Sequence, residues 1–225
     1  MTFDEAAKLY DIHKGLPKND NPMVILTDCM DTIITRDFSL ERLLQIWAKR
    51  VAKEFGIRER FLLNYRREVL GGKMHNTVPI SVIYQEIANH CVFFGIIESS
   101  QQEIFCKRCH QIEMEIELSS QHLINATADY LKKAKAKGSR IYCVSDFRLP
   151  GSDITEFYKN QDVSELFDGV FSSCDFGATK KKGDLYSKII DKIGCTPDCC
   201  VMIGDNLKSD CINAAKAGIK GYHLI

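Results

Sequence analysis

The sequence lacks the features that mark membrane proteins, nucleic-acid-binding proteins and repeat proteins. No apolar run approaches the ~20 residues that a membrane-spanning helix requires. The formal net charge of the 225 residues is +0, which gives no electrostatic reason to expect nucleic acid or an anionic membrane as a partner. Internal repeats and low-complexity linkers are also missing. We therefore predict a globular protein with neither nucleic acid nor a membrane among its partners.

The N-terminal sequence, MTFDEAAKLYDIHKG, lacks the apolar run of a secretory signal peptide and carries acidic side chains. We therefore expect a cytoplasmic protein, in which the ten cysteines are thiols rather than disulfides. The segment from Cys106 to His110 fits the CxxCH pattern of covalent haem attachment, but that chemistry requires export. A metal-ligand cluster is a further alternative, and the continuous helical pattern around the segment favours an ordinary helix.

Five short apolar runs have the length of buried parallel strands. Helical patterns separate the last four runs, and Gly138 and Gly218 stand where helices would end. This alternation predicts an α/β fold with a doubly wound parallel sheet. The predicted strands are Met23–Thr27, Arg140–Val144, Gly169–Ser172, Cys200–Ile203 and Gly221–Leu224, and the helices between them are Ser152–Asn160, Gly183–Ile193 and Leu207–Ala217.

More than a hundred residues separate the first two runs, and most of them have a helical pattern. Apolar residues recur at a spacing of three to four in four stretches, and a fifth stretch is expected to pack back on the sheet. The four stretches are Ser39–Phe55, Arg58–Leu70, Val78–Cys91 and Ser99–Leu118, and the fifth is His122–Lys137. We predict a helical cap (37–120) inserted after the first strand, and an α/β core formed by residues 1–36 and 121–225.

Polar and charged side chains follow four of the predicted strands at the points where the strands end. In an open parallel sheet, ligands bind at this carboxyl edge. Any one of these residues could simply cap a helix, but four such groups in order predict one site. They are Asp28, Asp31 and Thr32 after the first strand, Ser145 and Asp146 after the second, Lys180, Lys181 and Lys182 after the third, and Asp205, Asn206, Ser209 and Asp210 after the fourth.

Phosphoryl transfer through a carboxylate fits this set of residues. Mg²⁺ prefers oxygen ligands such as carboxylates, and the ion and a lysine would neutralise the charge of the transferring group. One aspartate would attack phosphorus and form an aspartyl-phosphate, which water then hydrolyses.

The four blocks resemble, in order, the four motifs of the haloacid-dehalogenase superfamily: VILTDCMDT, YCVSD, the lysine loop and MIGDNLKSD. The resemblance covers about residues 23–224, and the superfamily carries its cap where the helical insertion lies. It implies a magnesium-dependent hydrolase acting on a small phosphorylated substrate, with a sugar phosphate favoured. DCMDTIITR is also similar to the first motif of hydrolase-like proteins from bacterial surface-polysaccharide gene clusters. In that pattern a glycine and an aromatic follow the lysine, and Gly183 and Tyr186 indicate Lys180, with Lys181 and Lys182 as alternatives.

The resemblance also implies a role for individual residues. The expected catalytic residues are Asp28 as nucleophile, Ser145, Lys180 and Asp31; the expected substrate-binding residues are Thr32, Arg36 and Asp146; and the expected metal ligands are Asp28, Met30 through its carbonyl, Asp205 and Asp210. Some alternatives stay open. Asp210 could orient the waters of the metal rather than bind it, Thr32 could steady the loop through a backbone hydrogen bond, and Arg36 could pair near Asp37 rather than meet an anionic substrate.

Met30 departs from the motif, because phosphatases of the superfamily usually have an aspartate there as general acid and base. Losing such catalysis costs about 10²–10⁴-fold in rate. Three interpretations follow: a leaving group that needs little protonation, such as an anomeric or acyl phosphate; a proton supplied by Asp31, Asp146 or the cap; or a binding module without turnover. Asp31 stands where the motif has glycine, and aspartate tolerates a left-handed backbone.

The cap is expected to supply substrate specificity by closing over the site. The polar candidates lie around the Gly71–Gly72 turn and are Arg66, Arg67, Lys73 and His75. Solvent-facing positions on a helix are the alternative for these residues.

Overall fold

A computed structural model of the chain describes residues 1–18, 23–71 and 76–224. The strands among these residues are β1 (His13–Lys14), β2 (Val24–Thr27), β3 (Ile34–Arg36), β4 (Gln121–Leu123), β5 (Arg140–Ser145), β6 (Gly169–Ser172), β7 (Cys200–Gly204) and β8 (Lys220–His223). Six of them form one parallel sheet in the order β1-β8-β7-β2-β5-β6, and β3 and β4 form a separate antiparallel pair. The chain winds outward from β2 in both directions, which confirms the predicted doubly wound sheet.

Ten α-helices occur in the described part of the chain, and none of them is both long and apolar enough to cross a bilayer. They are α1 (Phe3–Tyr10), α2 (Leu40–Phe55), α3 (Glu59–Gly71), α4 (Ile80–Phe93), α5 (Gln102–Ser120), α6 (Asn125–Ala136), α7 (Gly151–Asn160), α8 (Ser173–Phe176), α9 (Asp184–Ile193) and α10 (Asn213–Lys216). All eight predicted helical stretches contain helix. The CxxCH segment lies within α5, and all ten cysteines are free thiols.

Two of the predicted helices differ from the structure. The stretch predicted to begin at His122 starts as β4, because the chain that returns from α5 pairs with the chain that leaves for α2, with Arg36 opposite Gln121. The last predicted helix begins as a wide π-helical turn, Leu207–Ile212, before α10. Such turns are rare and occur often at functional sites.

Helix α2 illustrates how the sequence forms the insertion after the first strand. The Ser39 side chain accepts a hydrogen bond from the Arg42 amide and caps the start of the helix, and Gly56 ends it in a left-handed conformation. Its inward face buries Trp47 and Val51 against the other helices. Helices α2 to α5 all lie between β3 and β4 in the chain. The boundaries of the core and the cap stay a prediction.

The central strand β2 aligns the ends of its neighbours. All four of its residues are buried, and Thr27 lies opposite Cys143 on β5 and Ile203 on β7. Because the three strands are parallel and in register, the residues that follow them emerge at one edge of the sheet. The Asp28 amide continues the ladder by donating to the carbonyl of Ile203 (2.9 Å).

Candidate active site

A cavity of about 320 Å³ lies at the carboxyl edge of the sheet. The loops that follow β2, β5, α8 and β7 contribute to it, together with Arg36 at the end of β3 and Asn76 between α3 and α4. Nine of the ten predicted site residues line the cavity: Asp28, Met30, Asp31, Arg36, Ser145, Asp146, Lys180, Asp205 and Asp210. The tenth, Thr32, is fully buried next to it. The structure therefore brings the four sequence blocks together.

Lys180 joins Asp28 of the first block to Asp210, which ends the fourth block. Its Nζ lies 2.9 Å from Asp28 Oδ1 and 2.7 Å from Asp210 Oδ1, and the residue is 1% exposed. Burial acts to lower the pKa of this ammonium, but the charges of Asp210 and Asp28 outweigh burial and hold its pKa well above the ordinary value. Lys181 and Lys182 are exposed. Of the three candidate lysines, Lys180 is the one that contacts Asp28.

The lysine loop is held by two side chains from other elements. The carboxylate of Asp146 accepts the amides of Lys180 (2.7 Å) and Lys181 (3.0 Å), and the side-chain amide of Asn213 donates to both of their carbonyls (2.9 and 2.8 Å). Both oxygens of Asp146 thus position the loop, although Asp146 also lines the cavity. The role of Asn213 was not predicted, because nothing in the spacing of α10 distinguishes it.

Asp210 is placed by the π-helical turn and by a glycine. Its Oδ1 accepts from Lys180 and its Oδ2 accepts from the amide of Asn206 (3.0 Å). A Cβ at Gly204 would overlap the carboxylate of Asp210, so this close approach requires glycine. Burial and the nearby charge of Asp28 raise the pKa of Asp210 to about 7, while Lys180 acts in the opposite direction. Since both oxygens already accept hydrogen bonds, Asp210 resembles an orienting residue more than a direct metal ligand.

Three carboxylates converge on one point in the cavity. One oxygen each of Asp28, Asp205 and Asp210 lies within 4.8 Å of the other two. Burial, and then the charge of Asp28, raises the pKa of Asp205. Among the described residues, Lys180 is the one ammonium in contact with these three carboxylates, so the cluster carries excess negative charge. An all-oxygen donor set with excess negative charge suits a hard divalent cation such as Mg²⁺.

Asp205 is itself held from two sides. Its Oδ1 accepts from the hydroxyl of Thr32 (3.4 Å), and its carbonyl hydrogen bonds with Nε2 of His223 on β8 (2.7 Å). Thr32 therefore bonds to a carboxylate rather than to the backbone. The contribution of His223 was not predicted, because the sequence gives it only as one residue of an apolar strand.

The loop after Asp28 closes tightly. Asp31 has φ of 54°, which confirms the left-handed backbone expected at this position. Its amide donates to the carbonyl of Ile34 (2.7 Å), and its carboxylate accepts from Thr35 (2.9 Å). Within the residues that the structure describes, no donor occupies the carbonyl of Met30, which leaves that oxygen available to a cation.

Arg36 lines the cavity and pairs with an acidic residue of α5. Its Nη1 lies 3.3 Å from Oε1 of Glu117. Asp37, the neighbour considered in the sequence, instead hydrogen bonds with His122 (2.7 Å). The two alternatives for Arg36 are thus compatible, because it has a partner and also faces the cavity.

The cap candidates have different surroundings. Arg66 is fully buried and forms an ion pair with Glu113, whereas Arg67 pairs with Glu41 at the surface. Gly72, Lys73 and His75 lie outside the described residues. The residue between α3 and α4 that does reach the cavity is Asn76, which donates to the carbonyl of Asp146 (2.9 Å) and accepts from Ser173 (2.7 Å). No motif in the sequence indicated it.

Comparison with known proteins agrees with this architecture. The family model of haloacid dehalogenase-like hydrolases matches residues 22–218. No curated protein matches the chain. Among solved structures, 2-haloacid dehalogenase from Pseudomonas syringae pv. Tomato DC3000 has a TM-score of 0.66 at 14% identity, over 88% of this chain and 84% of that one.

Two structures described as phosphatases are similar as well. A predicted phosphoglycolate phosphatase from Haemophilus somnus 129PT has a TM-score of 0.57 at 14% identity, over 92% of this chain and 85% of that one. A HAD phosphatase from Thermococcus onnurineus has a TM-score of 0.55 at 19% identity, over 88% and 83%. These likenesses show the fold. Because the family model spans most of the sequence, the chain belongs to the haloacid dehalogenase-like hydrolases.

Proposed function

We propose that the protein is a magnesium-dependent phosphatase that hydrolyses a small phosphorylated metabolite through an aspartyl-phosphate on Asp28. The observation that supports this most strongly is the position of the Asp28 carboxylate, 2.9 Å from the buried ammonium of Lys180 and beside Asp205 and Asp210. A carboxylate next to a fixed cation, in a cavity at the edge of a parallel sheet, is suited to attack on a phosphoryl group.

Three side chains act on the phosphoryl group, and they are those of Asp28, Lys180 and Ser145. An oxygen of Asp28 forms a bond to phosphorus, and the bond from phosphorus to the leaving oxygen breaks. Lys180 neutralises charge on the phosphoryl oxygens, and the Ser145 hydroxyl, buried at the end of β5, donates to one of them. Water then attacks phosphorus and the bond between phosphorus and Asp28 breaks. Inorganic phosphate leaves, and the carboxylate of Asp28 is restored.

The metal site fits the same residues. Asp28, Asp205 and the carbonyl of Met30 would hold Mg²⁺, and Asp210 would orient water molecules bound to the ion. When bound, the ion supplies positive charge to the phosphoryl group that Lys180 alone does not provide. Both Asp205 and Asp210 would be superfluous in a dehalogenase that works without a metal, so their convergence favours phosphoryl transfer over dehalogenation.

The methionine at position 30 restricts the substrates that the enzyme could hydrolyse. Its side chain cannot donate a proton to the leaving oxygen, so the substrate should have a good leaving group, as an anomeric or acyl phosphate does. Asp31 is the alternative donor, because its carboxylate is exposed and lines the same cavity. The resemblance of DCMDTIITR to proteins of surface-polysaccharide gene clusters makes a cytoplasmic sugar phosphate the favoured substrate.

The second candidate function is a binding module with little or no turnover in polysaccharide biosynthesis. The observation that favours it is the methionine at position 30, where catalysis in this family normally has a carboxylate. Such a module would keep the phosphate-binding contacts of Lys180 and Ser145 and lose only proton transfer.

Phosphate release distinguishes the two functions. We would measure release from a panel of sugar phosphates and from an activated aryl phosphate, with and without Mg²⁺, for the wild type and Asp28→Asn. Magnesium-dependent release that disappears in Asp28→Asn is expected for the phosphatase. Release no greater than that of Asp28→Asn, even from the activated ester, would exclude the phosphatase and favour the binding module.

A further inference from the structure

Arg36 lines the cavity with a positively charged side chain. In the described part of the chain, its ion pair is with Glu117 and not with a predicted catalytic carboxylate. Among the residues that the structure describes, three basic side chains line the cavity: Lys180, Lys181 and Arg36. Lys180 is committed to Asp28 and Asp210, and Lys181 is exposed. The side chain of Arg36 is only 14% exposed, at the end of β3. Arg36 is therefore partly desolvated, which strengthens its interaction with an incoming anion.

Glu117 contacts a single nitrogen of the Arg36 guanidinium group and leaves its other N–H donors unused by this ion pair. The two oxygens of Glu117 have different partners: Oε1 contacts Nη1 of Arg36 (3.3 Å) and Oε2 accepts from the side-chain amide of Gln121 (3.0 Å). The contact with Arg36 is thus a single one rather than a two-pronged pair. A guanidinium has five N–H donors, and in the described part of the chain Glu117 is the one side-chain acceptor that this guanidinium contacts.

The support for Arg36 is built into the fold. Gln121 lies opposite Arg36 in the β3–β4 pair, so the strand pairing places both partners of Glu117 side by side. Glu117 is 1% exposed and lies one helical turn from Glu113, the partner of buried Arg66. Helix α5 thus presents a buried row of acids toward the arginines of neighbouring elements. An exposed, freely rotating arginine would not need this support.

We propose that Arg36, positioned by Glu117, determines specificity by binding a second anionic group on the leaving portion of the substrate. The proposal rests on the phosphatase function. It narrows the substrate class to phosphate esters that carry a carboxylate or a second phosphate, because planar guanidinium donors match these groups in a two-pronged geometry. A purely structural Arg36 would only neutralise Glu117.

Matched pairs of esters test the proposal. One pair is 2-phosphoglycolate and ethylene glycol monophosphate, which differ in a carboxylate; the other is glucose 1,6-bisphosphate and glucose 1-phosphate, which differ in a phosphate. In at least one pair, the wild type should have a higher kcat/KM for the member that carries the additional carboxylate or phosphate. The pair that shows the preference identifies the anionic group.

Four variants assign the preference to Arg36. In Arg36→Gln the preference should fall by roughly ten- to a hundredfold, the range for hydrogen bonds to a charged group, mostly through KM. Arg36→Lys should restore part of it, because lysine keeps the charge but not the planar donors. Glu117→Gln should lower the preference less, and Arg50→Gln is the matched control. Arg50 also pairs with an acid of α5, Glu115, but on the exposed surface away from the cavity, so its removal should leave the preference intact.

The outcomes separate the two proposals. If Asp28-dependent release persists but Arg36→Gln lowers kcat/KM equally for both members of each pair, Arg36 is structural and the specificity proposal is wrong while the phosphatase stands. If no ester is hydrolysed, calorimetric binding of both members to Asp28→Asn, with and without Arg36→Gln, becomes the test. A preference that depends on Arg36 would support its role without turnover, and equal binding would overturn it. Should Arg36→Gln fail to fold, Arg36→Lys carries the comparison.

Discussion

Gly204 shows how a residue without a side chain shapes the candidate site. It ends β7, and the carboxylate of Asp210 occupies the space where a Cβ would stand. This closeness lets Asp210 reach Lys180 and the Asn206 amide together. The sequence block GDNLKSD includes the glycine, but only the structure explains it.

We expect Gly204→Ala to lower both activity and stability. The added methyl group would push Asp210 away from Lys180, and overpacking of this kind costs about 1–3 kcal/mol. A misplacement of about 1 Å near reacting groups can lower the rate on the order of 10²-fold. Urea denaturation and phosphate release measure the two effects.

Gly169→Ala is the matched control for this substitution. Its added Cβ would meet the end of the Phe171 ring at 3.1 Å, in β6 and away from Asp210. The control should lose little activity. Equal losses of activity in the two variants would contradict the specific role of Gly204.

At the scale of elements, α5 carries the buried polar groups that join the inserted helices to their surroundings. Glu113 contacts both Arg66 of α3 and Tyr84 of α4, and the guanidinium of Arg66 lies 4.1 Å from the ring centre of Trp47 in α2. All four side chains are buried. The carboxylate of Glu113 therefore links α5 directly to α3 and α4, and to α2 through Arg66.

We expect Glu113→Gln to destabilise the fold by about 3–5 kcal/mol, because it leaves the charge of buried Arg66 without a partner. Glu115→Gln, on the same helix, removes the partner of Arg50 at the surface and should cost less than about 1 kcal/mol. Chemical denaturation of the two variants compares a buried pair with an exposed one. Similar losses in both would mean that Arg66 reaches water or another acceptor when Glu113 is neutral.

A second contact of α5 makes its packing on α7 dependent on pH. Nε2 of His110 lies 3.2 Å from Oδ2 of Asp153, and the nearby carboxylate of Asp153 raises the pKa of His110, against the opposing effect of burial. A histidine whose pKa is raised by folding makes its full contribution to stability at pH values below its unfolded-state pKa of ~6.5. That contribution is lost as the pH rises through the higher folded-state pKa.

We therefore expect His110→Gln to cost more stability at about pH 5.5 than at about pH 8.5, with a difference below about 1 kcal/mol because the pair is partly exposed. Asp153→Asn should remove the same pH dependence. Denaturation curves at both pH values measure it. A cost that is the same at both pH values would show that the pair contributes no charge interaction.

At the scale of the whole molecule, the parts that could be predicted are those that depend on local sequence. Strands β2, β5 and β7 are continuous apolar runs, and the charged residues just after them must share an edge once the sheet is parallel. β1 has two residues, and β3 and β4 have three each, which is too short for a periodic pattern. Their pairing depends on distant segments of the chain.

Contacts between distant residues limited the prediction of the site in the same way. Asn76 and Asn213 act on loops 70 and 32–33 residues away in sequence, and no spacing connects them. The sequence offers Arg66 either as a specificity residue of the cap or as a solvent-facing residue, yet its side chain is buried and paired with Glu113, 47 residues later. The sequence thus predicts which residues end strands, while long-range hydrogen bonds decide which residues support them.

The excess negative charge of the site should link metal binding to the stability of the whole fold. Asp28, Asp205 and Asp210 converge, and in the described part of the chain Lys180 is the cation that contacts two of them. Mg²⁺ that binds only the folded protein stabilises it by about 2.7 kcal/mol at a hundred times its Kd, which corresponds to a rise of roughly 5–10 °C in Tm for a chain of this size.

Asp205→Asn should raise the Tm of the metal-free protein, because it relieves repulsion among the carboxylates, and should abolish most of the rise in Tm with Mg²⁺. Thermal melts with a chelator and with increasing Mg²⁺ measure both effects. A wild-type Tm that does not respond to Mg²⁺ would leave the three carboxylates without the cation that their arrangement favours, and would count against the metal-dependent mechanism even if some phosphate release were observed.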